Sequence, residues 1–279
     1  MILRVASALL RAFLMMTLIV LPSLLVPTAG VNTHLITLII GLSLAVFVFT
    51  EYMAQSPGIL EFRDAPPYNR MRFLLLFGSI ILAAVAYRAP WDGTPLVRLV
   101  YSLGLLVGQT LDVPFSPMRL ASGLIRPDAS PWISQLVYVT LGLSFIMSVF
   151  VVWSLLLILR VNNWPSRSRA FNLWVNLPTF DPTSGGDVVA SLVRSARINI
   201  SLAILLPFFL PLAMRVVIGT LDPSALNAPL SIIWIVSIWM FLPTCCVMKA
   251  IVMHRLARLV SMQRRLDRVR EEPAELVPA

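Results

Sequence analysis

The chain is poor in the residues that do chemistry in water. Of its 279 residues two are histidine, two are cysteine and a single one, Lys249, is lysine. Cys245 and Cys246 are adjacent inside an apolar run, so no disulfide framework can be drawn from them. Neighbouring residues on a helix point about 100° apart, so the two thiols do not converge on one ion. With Met240, Met248 and Met253 they read as soft apolar filler rather than a copper(I) site. His34 and His254 fall on opposite sides of the membrane in the topology derived below, which prevents a shared metal within one chain. Asp and Glu total 13, and no apolar run carries an acid at its centre, which argues against a proton relay. No Walker loop, G-x-G-x-x-G, H-E-x-x-H or G-x-S-x-G pattern occurs. No motif assigns the chain to a family. The expectation is no cofactor, no metal and no catalytic residue, and a non-enzymatic reading is placed first, with a membrane-embedded enzyme last of three.

Charged residues are also scarce, at 13%, against 58% hydrophobic. A soluble domain carries roughly one quarter charged residues and under one half apolar. That excludes a sizeable soluble domain and leaves a membrane as the solvent for the apolar excess. Apolar runs fall at 12–28, 35–53, 73–87, 132–159, 198–219 and 229–253, and most reach the roughly 17–25 residues that span a bilayer. The third is short, but Arg72 and Arg88 flank it and can snorkel. The N-terminal stretch has some look of a signal peptide. Its apolar part is long, and Pro27 is misplaced for cleavage near Ala29, so it reads as a permanent helix.

A seventh stretch, 96–111, contains Arg98 and two glycines and is marginal in length. The distribution of cations decides its fate. The chain has 21 Arg besides Lys249, and a net charge of +9. If 96–111 does not cross, 17 cations share one side: those at 4 and 11, at 63, 70 and 72, between 160 and 197, and from 249 onward. Five remain opposite, at 88, 98, 119, 126 and 215. If it crosses, the split weakens to 14 against 8. Cytoplasmic loops collect Lys and Arg, so six spans with both termini cytoplasmic is the expected topology. The expected fold is all-α, a polytopic bundle of about six transmembrane helices with a short re-entrant or interfacial helix at 96–111. Residues 1–253 form one integral membrane domain, and 254–279 a basic cytoplasmic helix and tail. Composition alone suggests a bacterial-type cytoplasmic (inner) membrane. The preference for Arg over Lys fits a GC-rich genome, or else selection for lipid phosphate.

Three sets of residues stand out. The first lies in the cytoplasmic segment 160–197, where Trp164, Phe171 and Trp174 alternate with Arg167 and Arg169. Aromatics with a polar edge settle in the headgroup layer, and the same residue types form interface anchors. This set is the candidate partner surface. Asp187 follows as the N-cap of a new helix. The second set is the tail arginines Arg255, Arg258, Arg264, Arg265, Arg268 and Arg270, candidates for anionic lipid. Leu256, Leu259, Leu266 and Val269 mark one face of that helix. The third set is Glu51, at the cytoplasmic end of the second span, with Pro207 and Pro211, which interrupt the fifth; kinked helices can line a transport path. Gly41 with Ala45, Gly78 with Leu82 and Ala86, and Ser144 with Ser148 form small-residue seams for close helix contact. Prolines at 90, 95, 114, 117, 127 and 131 read as turns around 96–111.

Together these features point to a non-enzymatic scaffold, accessory subunit or assembly factor with a cytoplasmic partner-binding face. A small transporter or channel is the alternative. The expected partners are the bilayer, its anionic lipids and other membrane subunits, not nucleic acid.

Overall fold

The computed structural model describes residues 2–54, 60–63, 67–124, 130–162, 164, 187–220 and 228–271, with backbone alone at 217–220 and 269–271. Among the described residues the chain forms eight helices and no strand. They are α1 (Ile2–Leu25), α2 (Val31–Met53), α3 (Tyr68–Tyr87), α4 (Pro95–Thr110), α5 (Pro117–Ser122), α6 (Pro131–Val161), α7 (Val188–Thr220) and α8 (Pro229–Glu271). All but α4 and α5 are long and apolar enough to cross a membrane. The molecule is a polytopic helical membrane bundle with six spans.

Polar residues at the bilayer surface prolong the helices past the apolar runs. α7 starts at Val188 and α8 ends at Glu271, each well outside its run. α8 is thus one rod of about 65 Å, and the expected division at 253/254 falls within it. α1 instead stops at Leu25, three residues before the end of its run. Val26 precedes Pro27, and a residue before proline is driven out of the helical region.

The prolines around α4 do more than turn the chain. Pro95, Pro117 and Pro131 each open a helix, behind Thr94, Ser116 and Ser130. Proline suits a first helical position because its missing N–H has no partner there anyway. The Ser116 hydroxyl accepts from the Arg119 amide at 3.1 Å, and that of Ser130 from the Ile133 amide at 3.3 Å. These are side-chain caps of the usual kind.

α4 is only 16 residues long, or about 24 Å, against a hydrocarbon core of about 30 Å. It stays at one end of the bundle. Tyr101 donates to Gln135 at 2.7 Å, and Tyr138 to Asp112 at 2.8 Å. The middle of α4 and the turn just after it therefore meet the first half of α6. Between them Gly104 and Gly108 meet Gly142 with backbone nearly touching backbone. A Cβ on Gly142 would lie 2.0 Å from the Gly104 carbonyl oxygen. This is the short, non-crossing element expected at 96–111.

The spans pack in two layers of core. Near the end bearing residues 2 and 271, Phe62, Tyr68, Leu75, Val151, Leu155 and Met248 are buried together. Toward the other end Leu18, Ile80, Tyr87, Leu136, Ile233 and Trp239 form the second cluster. Hydroxyls tie helices across these layers. Ser23 meets Thr37 at 3.0 Å between α1 and α2, and Thr244 of α8 donates to Ser148 of α6 at 3.0 Å. Two expected seams carry close contacts: Gly41 lies against Val20 and Met16 of α1, and Gly78 against Met147 of α6.

Candidate functional site

The cation-rich end of the bundle is held together by side chains reaching between segments. Arg4 of α1 donates to the Met53 and Ala54 carbonyls at the end of α2, at 3.1 and 2.8 Å. Arg63 is nearly buried and donates to the Glu51 and Ala54 carbonyls at 3.0 and 3.2 Å. Asn69 donates to the Glu61 and Phe62 carbonyls at 2.8 and 3.1 Å. Phe62 itself adopts a left-handed backbone, φ 56°, with its ring buried 4.4 Å from that of Tyr68. Positive φ is uncommon for a bulky residue; here the buried ring and the Asn69 clamp hold it. Lys249 of α8 closes the set with a 2.7 Å ion pair to Glu61.

The three predicted sets meet different fates in this frame. Trp164 is half-buried and packs on the core cluster of this end. Its carbonyl accepts from Arg255 Nε. Arg167, Arg169, Phe171 and Trp174 lie outside the described residues. Of the tail arginines, Arg255 is therefore committed to the chain, and Arg264 pairs with Asp187. Arg258, Arg265 and Arg268 are exposed, while Arg270 is described in its backbone only. On the apolar face Leu256 is buried, Leu259 half-buried and Leu266 exposed, because the tail projects beyond the bundle in its last turns.

Asp187 is the predicted N-cap. Its carboxylate accepts from the Val189 and Ala190 amides, both at 3.3 Å. The hydrogen bond from Arg264, then those amides, hold it below the usual aspartate range. One residue thus starts α7 and fastens it to the tail of α8, a link the local N-cap signal could not reveal.

Glu51 sits at the last turn of α2, beside Arg63, and interacts within the chain. The prolines of α7 face protein: Pro211 is buried and Pro207 half-buried. Pro211 has no N–H to offer the carbonyl four residues back, which is that of Pro207. The Trp239 indole of α8 donates to that carbonyl at 3.2 Å. The carbonyl left open by Pro211 is thus satisfied by a neighbouring helix.

Sequence reasoning missed a cleft among α1, α2, α3 and α8 at the same end, with a volume of about 310 Å³. Arg11, Arg70, Arg72, Tyr52 and Asn69 line its outer part. Leu18, Val48, Leu76 and Phe241 line its depth. The Arg11 guanidinium lies over the Tyr52 ring, 4.4 Å from its centre. Arg72 lies 5.7 Å from the Tyr68 ring and 5.9 Å from that of Phe241. These are cation–π distances. Its Nε is buried without a hydrogen-bond acceptor among the described residues. The only local hint of this site was that Arg72 flanks the third apolar run.

A second missed feature is an aromatic group at the opposite end. Tyr101 stacks on Trp132 at 5.7 Å, and Tyr87 and Trp91 lie 6.0 and 6.4 Å from the same indole. Tyr87, Trp91 and Trp132 lie at the ends of apolar segments, where an aromatic belt is expected.

Compared with protein-family models, with curated proteins and with solved structures, the chain matches none.

Proposed function

We propose that the protein is a non-enzymatic membrane scaffold or accessory subunit that presents α7 to another integral membrane protein. In this reading it sits in a bacterial-type cytoplasmic membrane with both termini inside. The observation that carries it is how little of the α7 surface the chain covers. This helix packs along α8 and touches α5. Only 11% of its spanning window is buried within the chain, against 44% for that of α6. Ile204, Phe208, Phe209 and Leu212 form an uncovered apolar stripe on it. α7 also follows directly on the aromatic segment that carries the predicted partner surface, so a partner could engage both.

Three polar contacts between helices favour a scaffold over a transporter. Ser23 with Thr37, Ser148 with Thr244 and the Pro207 carbonyl with Trp239 satisfy one another between helices. Such pairs fasten a bundle, whereas a transport path presents its polar groups to a cavity. The cytoplasmic assignment of the termini follows the cation excess at that end. Arg258, Arg265 and Arg268 then face the anionic leaflet, which attracts each at about 1 kcal/mol when it reaches the surface.

The test is a photo-crosslinking amino acid at Ile204 or Phe209, in native membranes. A discrete protein adduct is expected from both positions and none from the same group at Val151, which is buried in the core. Lipid adducts alone from both α7 positions would overturn the reading.

A further inference from the structure

We infer that the cleft between α1, α2, α3 and α8 is a binding site for an anionic phospholipid, with its phosphate among Arg11, Arg70 and Arg72 and an acyl chain against Leu18 and Leu76. The inference is independent of the α7 surface. It rests first on charge. Three guanidinium groups line the cleft and, among the described residues, no carboxylate does. Of the described acids at this end, Glu61 is paired with Lys249 at 2.7 Å, and Glu51 lies at the α2 terminus, where its carbonyl accepts from Arg63. Three guanidinium groups lining one cleft repel one another, and a phosphate removes that repulsion through charge-assisted hydrogen bonds.

The second ground is the donor inventory. Arg72 is held between two aromatic rings with its buried Nε unused. A buried donor without an acceptor is costly, and a phosphate oxygen would supply one. Arg70 is exposed at the outer rim, so its fork is free to close over the ligand. A guanidinium suits phosphate because its parallel N–H groups match two oxygens at once.

The third ground is the sequence of surfaces with depth. Along α1 the lining runs from Arg11 to Leu18, about 10 Å further into the bundle. Along α3 it runs from Arg70 to Leu76, and along α2 from Tyr52 to Val48. Each helix thus changes from polar to apolar in the same direction. A headgroup followed by an acyl chain has that profile, whereas a free inorganic anion uses only its outer part. The volume lies at the small end of ligand sites, enough for a headgroup and the start of a chain.

The experiment is lipid titration of the full-length protein in a mild neutral detergent, read as the rise in unfolding temperature with lipid concentration. Phosphatidylglycerol, phosphatidylcholine and inorganic phosphate are compared. Phosphatidylglycerol alone should stabilise at low concentration. R70Q changes an exposed side chain and should weaken the apparent affinity about fivefold, the loss of one surface cation. R11Q combined with R72Q should weaken it about tenfold or more. R258Q combined with R265Q, on the projecting tail, should leave it unchanged. Leu76→Phe narrows the apolar part while keeping every arginine and should also weaken the lipid effect. An unchanged affinity in R70Q and in Leu76→Phe would overturn the site, even if the double variant failed to fold. Equal stabilisation by phosphatidylcholine would refute the charge argument. Equal stabilisation by inorganic phosphate would refute the lipid.

Discussion

Gly142→Ala should be among the most damaging single-methyl additions in this chain. The new Cβ would lie 2.0 Å from the Gly104 oxygen, 2.7 Å from the Gly108 nitrogen and 2.9 Å from the Gly104 carbon. All three are backbone atoms of α4, so no side chain can swing aside. Real Cβ contacts under 3.0 Å essentially do not occur, so α4 and α6 must part by on the order of 1 Å. That opens the contact in which Val139 and Leu143 are buried with Ala86. Overpacking costs about 1–3 kcal/mol and sometimes more. Helix propensity works the other way, favouring alanine over glycine by about 1 kcal/mol, and helix geometry cannot use that gain while the backbones collide. The net expectation is a loss of about 2 kcal/mol. Gly108→Ala should match it, since its Cβ would meet the Tyr138 oxygen at 2.0 Å. Gly78→Ala is the informative control. Its nearest neighbour is nearly as close, 2.4 Å, but that atom is the flexible Met147 Cε. Methionine repacks readily, so this variant should lie within about 1 kcal/mol of the parent. The assay is equilibrium unfolding by SDS in mixed micelles, all variants together. The reasoning fails if Gly142→Ala and Gly108→Ala are no less stable than Gly78→Ala.

Trp239→Phe leaves the Pro207 carbonyl unsatisfied and should cost about 1 kcal/mol. In a Pro211→Ala background the backbone N–H returns, so the same change should cost less; an equal cost would show that the indole bond is not the cause. Asp187 is exposed and has its pKa lowered by Arg264, so its link to the tail exists above the ordinary aspartate pKa and is lost as pH falls through the depressed folded value. A spin label at Leu266 should gain mobility only below about pH 4, and Asp187→Asn should abolish that acid step; a step that survives the substitution belongs to another group. Reporter fusions after residues 30 and 110 should read as outside, and those after 60, 180 and 279 as inside. A cytoplasmic signal at 110 would make α4 a crossing helix.

Six apolar spans and the N-cap at Asp187 were legible in the sequence because each is a local property, whereas the reading of 96–111 came from the distribution of cations along the whole chain. Partition into a bilayer depends on about 20 consecutive residues, and a cap on the three or four after it. The contacts between helices were not legible for a reason that is equally physical. A lipid-facing helix is apolar all round, so periodicity does not mark which face is buried. Glycines at 104 and 108 were visible, but not that Gly142 of another helix meets them. Pro207 and Pro211 promised a kink; only packing against α8 brought Trp239 to the carbonyl it leaves open. The cleft takes Arg11, Tyr52, Arg70, Arg72 and Phe241 from four helices, and nothing in the spacing of those residues announces it. Arg255 and Arg264 show the converse. Composition placed them with the other tail arginines, but the fold ties one to the Trp164 carbonyl and the other to Asp187. Charge in a sequence says what can be paired, and only tertiary structure decides what is.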